Sequence, residues 1–206
     1  MARTWFWDRF AKIYSRQKIG DDSAYQKKLE ITRQYVTADM SVFEFGCGTG
    51  STAILHAPYV RHIHATDCSN NMLAIGRERA RAAGVSNITF EQGDIEAMHF
   101  EGNTYDAVLG LNILHLLEDR DAALAQVFKM LKPGGHFISS TACDPGANPF
   151  LRGLLTVGSA LRVLPLVKFF SVEDWLGAMR KAGFDVEYQW CPKPDASLFA
   201  VLKKPA

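Results

Sequence analysis

The sequence predicts an α/β fold: a doubly wound, mostly parallel sheet of seven strands, with helices before it and an insert ahead of its last two strands. Three observations carry this expectation. Short β-prone runs alternate with stretches of helical spacing along most of the chain. Glycines or acidic residues stand just past the ends of those runs. Two further strand-like runs then close the chain, so that repeated strand–helix alternation ends in a terminal strand pair.

The elements follow in order. Trp5, Phe6, Trp7, Phe10, Ile13 and Tyr14 crowd six bulky apolar residues into ten positions, a density that needs a partner surface. That surface is either the sheet domain or a bound ligand over which residues 1–36 close as a cap carrying Tyr14 and Tyr25 to the mouth of the site. Ser23 followed by Gln26 matches a capping box, and Tyr25, Leu29, Thr32 and Val36 recur at helical spacing after it. Ser41 to Phe45 reads as a buried strand running into a glycine turn at Gly46. Arg61 to Thr66 alternates into a second strand ending at Asp67, after which Ser69 caps a helix that Gly84 ends in the left-handed conformation. Asn87–Gln92 and Tyr105–Leu111 are the third and fourth strands, with Gly93-Asp94 and Asn112 just beyond them. A helix from Asp119 to Leu131 is stopped by Lys132-Pro133-Gly134-Gly135, and His136–Thr141 resumes an extended pattern. Residues 145–172 read as an apolar helical insert. Ser171 with Asp174 opens a helix closed by Gly183, and Asp185–Trp190 and Ser197–Leu202 complete the sheet.

Composition narrows the class. A length of 206 residues fits a single domain, and 48% hydrophobic with 22% charged residues supplies a core and argues against disorder. A net charge of +1 gives no global footprint for nucleic acid. Cys47, Cys68, Cys143 and Cys191 form no CxxC pair, and His56, His62, His64, His99 and His136 lack metal-ligand spacing, so no metal site is expected. Without an apolar leader or a run of about 18 apolar residues, the expected location is the cytoplasm.

In a doubly wound sheet the ligand lies outside the carboxyl ends of the strands, where strand order reverses. The first such end is Glu44-Phe45-Gly46-Cys47-Gly48-Thr49-Gly50, whose glycines permit a tight turn and close approach to backbone. Asp67 is a carboxylate suited to accept from both hydroxyls of a ribose, which implies an adenosine-type ligand. Asp94 is placed to accept from an exocyclic amine, and Met72 and Ile95 to sandwich a flat base. The G-x-G-x-G register departs from the G-x-G-x-x-G of NAD(P) oxidoreductases.

The glycine loop, Asp67, Gly93-Asp94, the run YDAVLGLNILHLL and the LKPGG turn together resemble class I S-adenosylmethionine-dependent methyltransferases from about Ser41 to Thr141. Within that family the chain is most similar to small-molecule enzymes of the ubiquinone/menaquinone-biosynthesis type. The resemblance implies S-adenosylmethionine as cofactor, S-adenosylhomocysteine as product and a small, apolar or aromatic acceptor. It implies that Glu44 meets the cofactor's amino group, that Gly46, Cys47 and Gly48 lie along the methionine portion, that Gly50 belongs to the same cofactor-binding loop, and that Cys68 flanks the site. Asp67 would hold the ribose and Asp94 the adenine, while Asn112 would stand near the sulfonium and the entering acceptor. His115 is either a general base or a hydrogen-bonded residue opening a helix. Asn112-Ile113-Leu114-His115 replaces the Pro-Pro-Tyr of nucleic-acid amino-methyltransferases, so a nucleic-acid substrate is not expected. A non-catalytic cofactor-binding module on the same fold is the remaining alternative. The insert carries Arg152, Arg162 and Lys168 in a strongly apolar run; either Leu151, Leu154, Leu155, Gly158 and Leu161 pack on the core with the cations outward, or residues 150–170 touch a membrane or line the acceptor chamber.

Overall fold

The computed structural model describes residues 2–17, 20–143, 157–159, 164–192 and 197–206. Two helices, α1 (Ala2–Tyr14) and α2 (Asp22–Arg33), precede β1 (Ser41–Phe45), α3 (Ser51–His56), β2 (His62–Asp67), α4 (Asn70–Ala82) and β3 (Ile88–Gln92). They are followed by β4 (Tyr105–Leu111), α5 (Arg120–Met130), β5 (Leu131–Ala142), α6 (Val172–Lys181), β6 (Asp185–Trp190) and β7 (Ser197–Lys203). The seven strands form one sheet in the order β3-β2-β1-β4-β5-β7-β6. Pairing is parallel from β3 through β5, and β7 runs antiparallel to both β5 and β6.

Both faces of the sheet are covered, as near-continuous apolar strands require. Strand residues alternate between two cores. Phe43, Phe45, Val108 and Phe137 pack with α5 and α6 through Leu124, Val127, Trp175 and Met179. Val42, Ile63, Ala107, Leu109, Ile138 and Phe199 pack on the other face with Ile31, Ala53 and Leu73. After β3 the chain crosses back to the far side of β1 to lay down β4, so strand order reverses between β1 and β4.

Several local expectations hold at residue resolution, and others shift. Ser69 caps α4 by accepting from the Met72 amide, and Ser171 and Asp174 form a reciprocal capping box. The cap of α2 is Asp21, not Ser23: the Asp21 carboxylate accepts both the Ala24 amide and the Ser23 hydroxyl. A carboxylate there is the stronger acceptor and also faces the positive end of the helix. That helix ends at Arg33, leaving Val36 buried beyond it. β5 begins at Leu131, which pairs with Tyr105 before the ladder shifts and resumes at Ala107–His136, so the LKPGG turn is a register break within a strand.

Of the expected helical insert, Arg152, Arg162, Leu151, Leu154, Leu155 and Leu161 lie outside the described residues, and with them most of the surface assigned to a membrane or an acceptor. Residues 164–171 are not helical. Pro165 cannot donate to a helix, and the Lys168 amide donates instead to the carbonyl of His115 at 2.7 Å. The Lys168 ammonium does not point outward freely; it donates to the Glu118 carbonyl. No helix among the described residues is long and apolar enough to cross a membrane.

Candidate functional site

A cavity of about 400 Å³ opens at the carboxyl ends of β1, β2, β3 and β4, at the reversal of strand order. Ten of the residues singled out from the sequence line it: Glu44, Gly46, Cys47, Gly48, Asp67, Cys68, Met72, Asp94, Ile95 and Asn112. Gly50 and His115 are not on its wall.

The glycine loop is shaped by backbone conformation. Gly46 has φ +63°, and a Cβ there would stand 2.6 Å from Cγ1 of Ile113, so only glycine lets the loop cross this point. Gly48 and Gly50 are also left-handed; Gly50 precedes α3, and a Cβ on it would meet the Phe90 ring. The loop is pinned by Asp67, whose two carboxylate oxygens accept the amides of Gly48 (2.8 Å) and Ser69 (2.9 Å). Burial pushes the Asp67 pKa upward, and those two amide bonds oppose the shift. The β2 acid thus joins the first loop to the start of α4, with lone pairs left on both oxygens.

Glu44 is the electrostatic singularity of the site. It is 3% exposed, sits on β1 and lines the cavity, yet its Oε2 has no hydrogen-bond partner. Burial, followed by the nearby Asp67 charge, raises its pKa to about 8. A buried carboxylate without a partner is costly, and a cation in the cavity would relieve that cost. The Cys47 thiol is pushed well above its usual value, again chiefly by burial, so it is no ready thiolate.

Met72 and Ile95 are buried on α4 and after β3, and Asp94 caps the turn beyond β3 by accepting the Glu96 amide at 3.1 Å. Asn112 is left-handed, with φ 56°; its amide donates to the Ser140 carbonyl, and its Oδ1 accepts the Ser140 hydroxyl. His115 sits in the 3₁₀ turn Leu114–Leu116, with its ring 3.3 Å from the Thr141 hydroxyl and its pKa lowered by burial, a neutral, tethered imidazole. Among the described residues no group of His, Cys, Asp or Glu could hold a metal ion.

Sequence reasoning did not place Trp7 or Arg79 here. Trp7 and Tyr14, seven positions apart on α1, both line the cavity, their rings meeting edge to face. Arg79 follows Met72 by the same two helical turns on α4, and that spacing was the available signal. Its guanidinium donates to Thr49 Oγ1 (2.8 Å), Ser51 Oγ (3.1 Å) and the Ser15 carbonyl (2.6 Å), tying the glycine loop to the end of α1. Midway along α1, Asp8 accepts the Ser69 hydroxyl (2.6 Å) and the Asn71 amide (3.2 Å). The apolar N-terminal helix therefore docks on α4 and roofs the cavity.

Residues 42–135 match the family described as methyltransferase domain. This stretch is a methyltransferase domain. An uncharacterized methyltransferase, YcgJ of Bacillus subtilis, is 27% identical over 80% of this chain and 64% of its own. The ubiquinone/menaquinone biosynthesis C-methyltransferase UbiE of Pasteurella multocida is 31% identical over 60% of this chain and 47% of its own. The chain thus spans about half to two thirds of the length of these relatives. An S-adenosylmethionine-dependent methyltransferase from Mesorhizobium loti shares the fold, with a TM-score of 0.70 at 21% identity, covering 86% of this chain and 96% of that one. The matched stretch contains the first loop, the ends of β2, β3 and β4, and the ten cavity residues from Glu44 to Asn112 named above, whereas Tyr14 and Tyr25 reach the cavity from outside it.

Proposed function

We propose that the protein transfers a methyl group from S-adenosylmethionine to a small, apolar or aromatic acceptor and releases S-adenosylhomocysteine. The observation that carries this reading is the buried Glu44 oxygen without a partner, on the wall of a cavity that glycines open to backbone approach. Its charge requirement fits the amino group of the methionine portion. When bound, the cofactor supplies an electrophilic methyl on a sulfonium.

The other roles are those of the chain. Glu44 receives the amino group, Gly46, Cys47 and Gly48 lie along the methionine portion, and Asp67 offers its remaining lone pairs to ribose hydroxyls. Met72 and Ile95 flank the base, Asp94 accepts from its amine, and Cys68 borders it. Asn112 stands at the end of β4, where the acceptor enters, and α1 keeps water from the cavity. Gly50 acts behind the wall by letting the loop turn into α3. Positioning of this kind is worth roughly 7–11 kcal/mol of a displacement barrier, so no base is required of His115. The name of the Pasteurella relative, a quinone-pathway C-methyltransferase, supports an aromatic acceptor. The chain then acts as one domain, with residues 1–36 as its cap.

Calorimetry with S-adenosylmethionine, S-adenosylhomocysteine and NADH tests the reading. Both adenosyl ligands are expected to bind, and Asp67→Ala to weaken them by about 1.5–3 kcal/mol, the range for hydrogen bonds to a charged group. Binding of NADH alone would sink it, and S-adenosylhomocysteine release with a panel of small acceptors separates an enzyme from a binding module.

A further inference from the structure

A second cavity, of about 290 Å³, lies beside the first between α2, α3 and the ends of β4, β5 and β7. The two share Tyr25, Thr52, Leu111 and Asn112 on their walls. Tyr25 and Thr52 are joined by a hydroxyl–hydroxyl hydrogen bond of 3.2 Å, so part of the partition is a pair of side chains and not backbone.

Two polar groups in this chamber are unaccounted for by the fold. The Lys28 ammonium donates to Ser140 Oγ at 2.8 Å, and that hydroxyl donates onward to Asn112 Oδ1 at 3.2 Å, a relay from the chamber to the end of β4. Among the described residues no carboxylate forms an ion pair with Lys28, and burial lowers its pKa, a shift that the Cys191 and Asp21 charges, the latter on the same wall, oppose only in part. His56 is 2% exposed, lines the same chamber, and has no partner at either ring nitrogen. Burial and the Arg33 charge hold its pKa down at about 4, so the imidazole is neutral, offering one donor and one acceptor. Leu29, Leu111 and Phe199 supply an apolar remainder.

Resting on the methyltransferase reading above, we propose that this second cavity receives the methyl acceptor and that Lys28, with His56, selects acceptors bearing an acidic oxygen, a carboxylate or phenolate, on a small apolar body. An anionic oxygen at Lys28 supplies the direct ion pair that the described residues do not, and a further polar group on the acceptor fills His56. Such a site disfavours the neutral isostere because the half-buried ammonium is then left with only the Ser140 hydroxyl as a direct partner.

The test uses the full chain loaded with S-adenosylhomocysteine and matched probe pairs: benzoate and benzamide, salicylate and salicylamide, cinnamate and cinnamamide. Affinities are read by ligand-observed NMR titration. At least one acid is expected to bind about tenfold or more tightly than its amide, the scale of one hydrogen bond to a charged group. Lys28→Met is expected to bring that acid down to the level of its amide, Lys28→Arg to retain most of the preference, and His56→Phe to weaken acid and amide alike. Lys28→Gln, which keeps a donor to Ser140, serves if the Met variant does not fold. Acids that bind no better than amides in every pair, or a preference that survives loss of the Lys28 charge, overturn the proposal. S-adenosylhomocysteine affinity is measured in the same samples. Intact cofactor binding without acid preference rejects the acceptor assignment alone, whereas a wild type that does not bind S-adenosylhomocysteine rejects the methyltransferase reading itself.

Discussion

The two cavities are neighbours built by opposite means. Much of the larger one is walled by backbone: a loop of left-handed glycines and the residues just beyond β2, β3 and β4. The smaller is walled by side chains from α2, α3, β5 and β7, elements more than a hundred residues apart in places. A backbone-built wall demands particular residue types at fixed spacing within a short stretch. A side-chain wall is assembled by the tertiary fold, and its members are locally ordinary. On the proposed reading the first holds the cofactor and the second the acceptor.

The sharpest way to break this contrast is to remove the more deeply buried of the two buried acids that line the backbone-built cavity. Glu44 has an ordinary carboxyl pKa when unfolded and about 8 when folded. Its folded pKa is raised, so the folded protein holds the extra proton between those values. Stability attributable to Glu44 is full below about pH 4.5 and is lost as pH rises through about 8. Without cofactor, Glu44→Gln is expected to be more stable than the wild type above about pH 8, by up to about 4 kcal/mol, and equal to it near pH 4. The same variant is expected to bind S-adenosylmethionine more weakly. Urea denaturation across this range checks it; parallel profiles for the two proteins would mean Glu44 is charged and compensated in the fold.

A second test asks whether the backbone wall is as sequence-specific as the argument requires. Gly46 and Gly84 have nearly the same φ, +63° and +69°, but a Cβ on Gly46 meets Ile113 at 2.6 Å and one on Gly84 meets nothing within 4 Å. Gly84→Ala is expected to cost about 1 kcal/mol, from backbone strain alone. Gly46→Ala adds overpacking, for about 3 kcal/mol in all, and abolishes cofactor binding. Equal losses in denaturation midpoint would show that Ile113 yields and that this glycine is needed only for its conformation.

The same contrast explains how much was legible in the sequence. β1, β4 and β6 fall on their expected residues, because periodicity and punctuation are local. Glu44, Asp67 and Asp94 converge as their positions after consecutive parallel strands require. What failed locally was a matter of competition: Asp21 outbid Ser23 as a cap, and Pro165 with the His115 carbonyl drew residues 164–171 out of a helix. Arg79 carried only the helical spacing from Met72, which puts it on the same face but does not name its targets, Thr49, Ser51 and Ser15. Lys28 and His56 were hidden for the stronger reason that Ser140 and Phe199 come to them only when the sheet is complete.

The smallest expected effect concerns α1, the side-chain roof on the backbone-built cavity and thus the exception to the contrast. Asp8 reaches from α1 to accept from Ser69 and Asn71 at the start of α4, so it caps one helix with a residue of another. Arg79 holds the far end through Ser15. Trp7 and Tyr14 line the cavity while Trp5, Ile13 and part of Tyr14 face solvent, so little apolar burial other than that on α4 fixes the helix. Asp8→Ala is expected to cost about 1 kcal/mol, as other lost caps do, and to loosen α1 without unfolding the sheet. Hydrogen exchange reads this as faster exchange in residues 2–17 with β1 and β4 unchanged. Adding S-adenosylhomocysteine is expected to slow exchange in α1 and to offset most of the Asp8→Ala effect, because a ligand beneath Trp7 and Tyr14 supplies the contact that the anchors otherwise provide alone. Protection of α1 that is identical with and without ligand would make the roof a fixed part of the fold and would leave entry to the larger cavity to the Tyr25–Thr52 side.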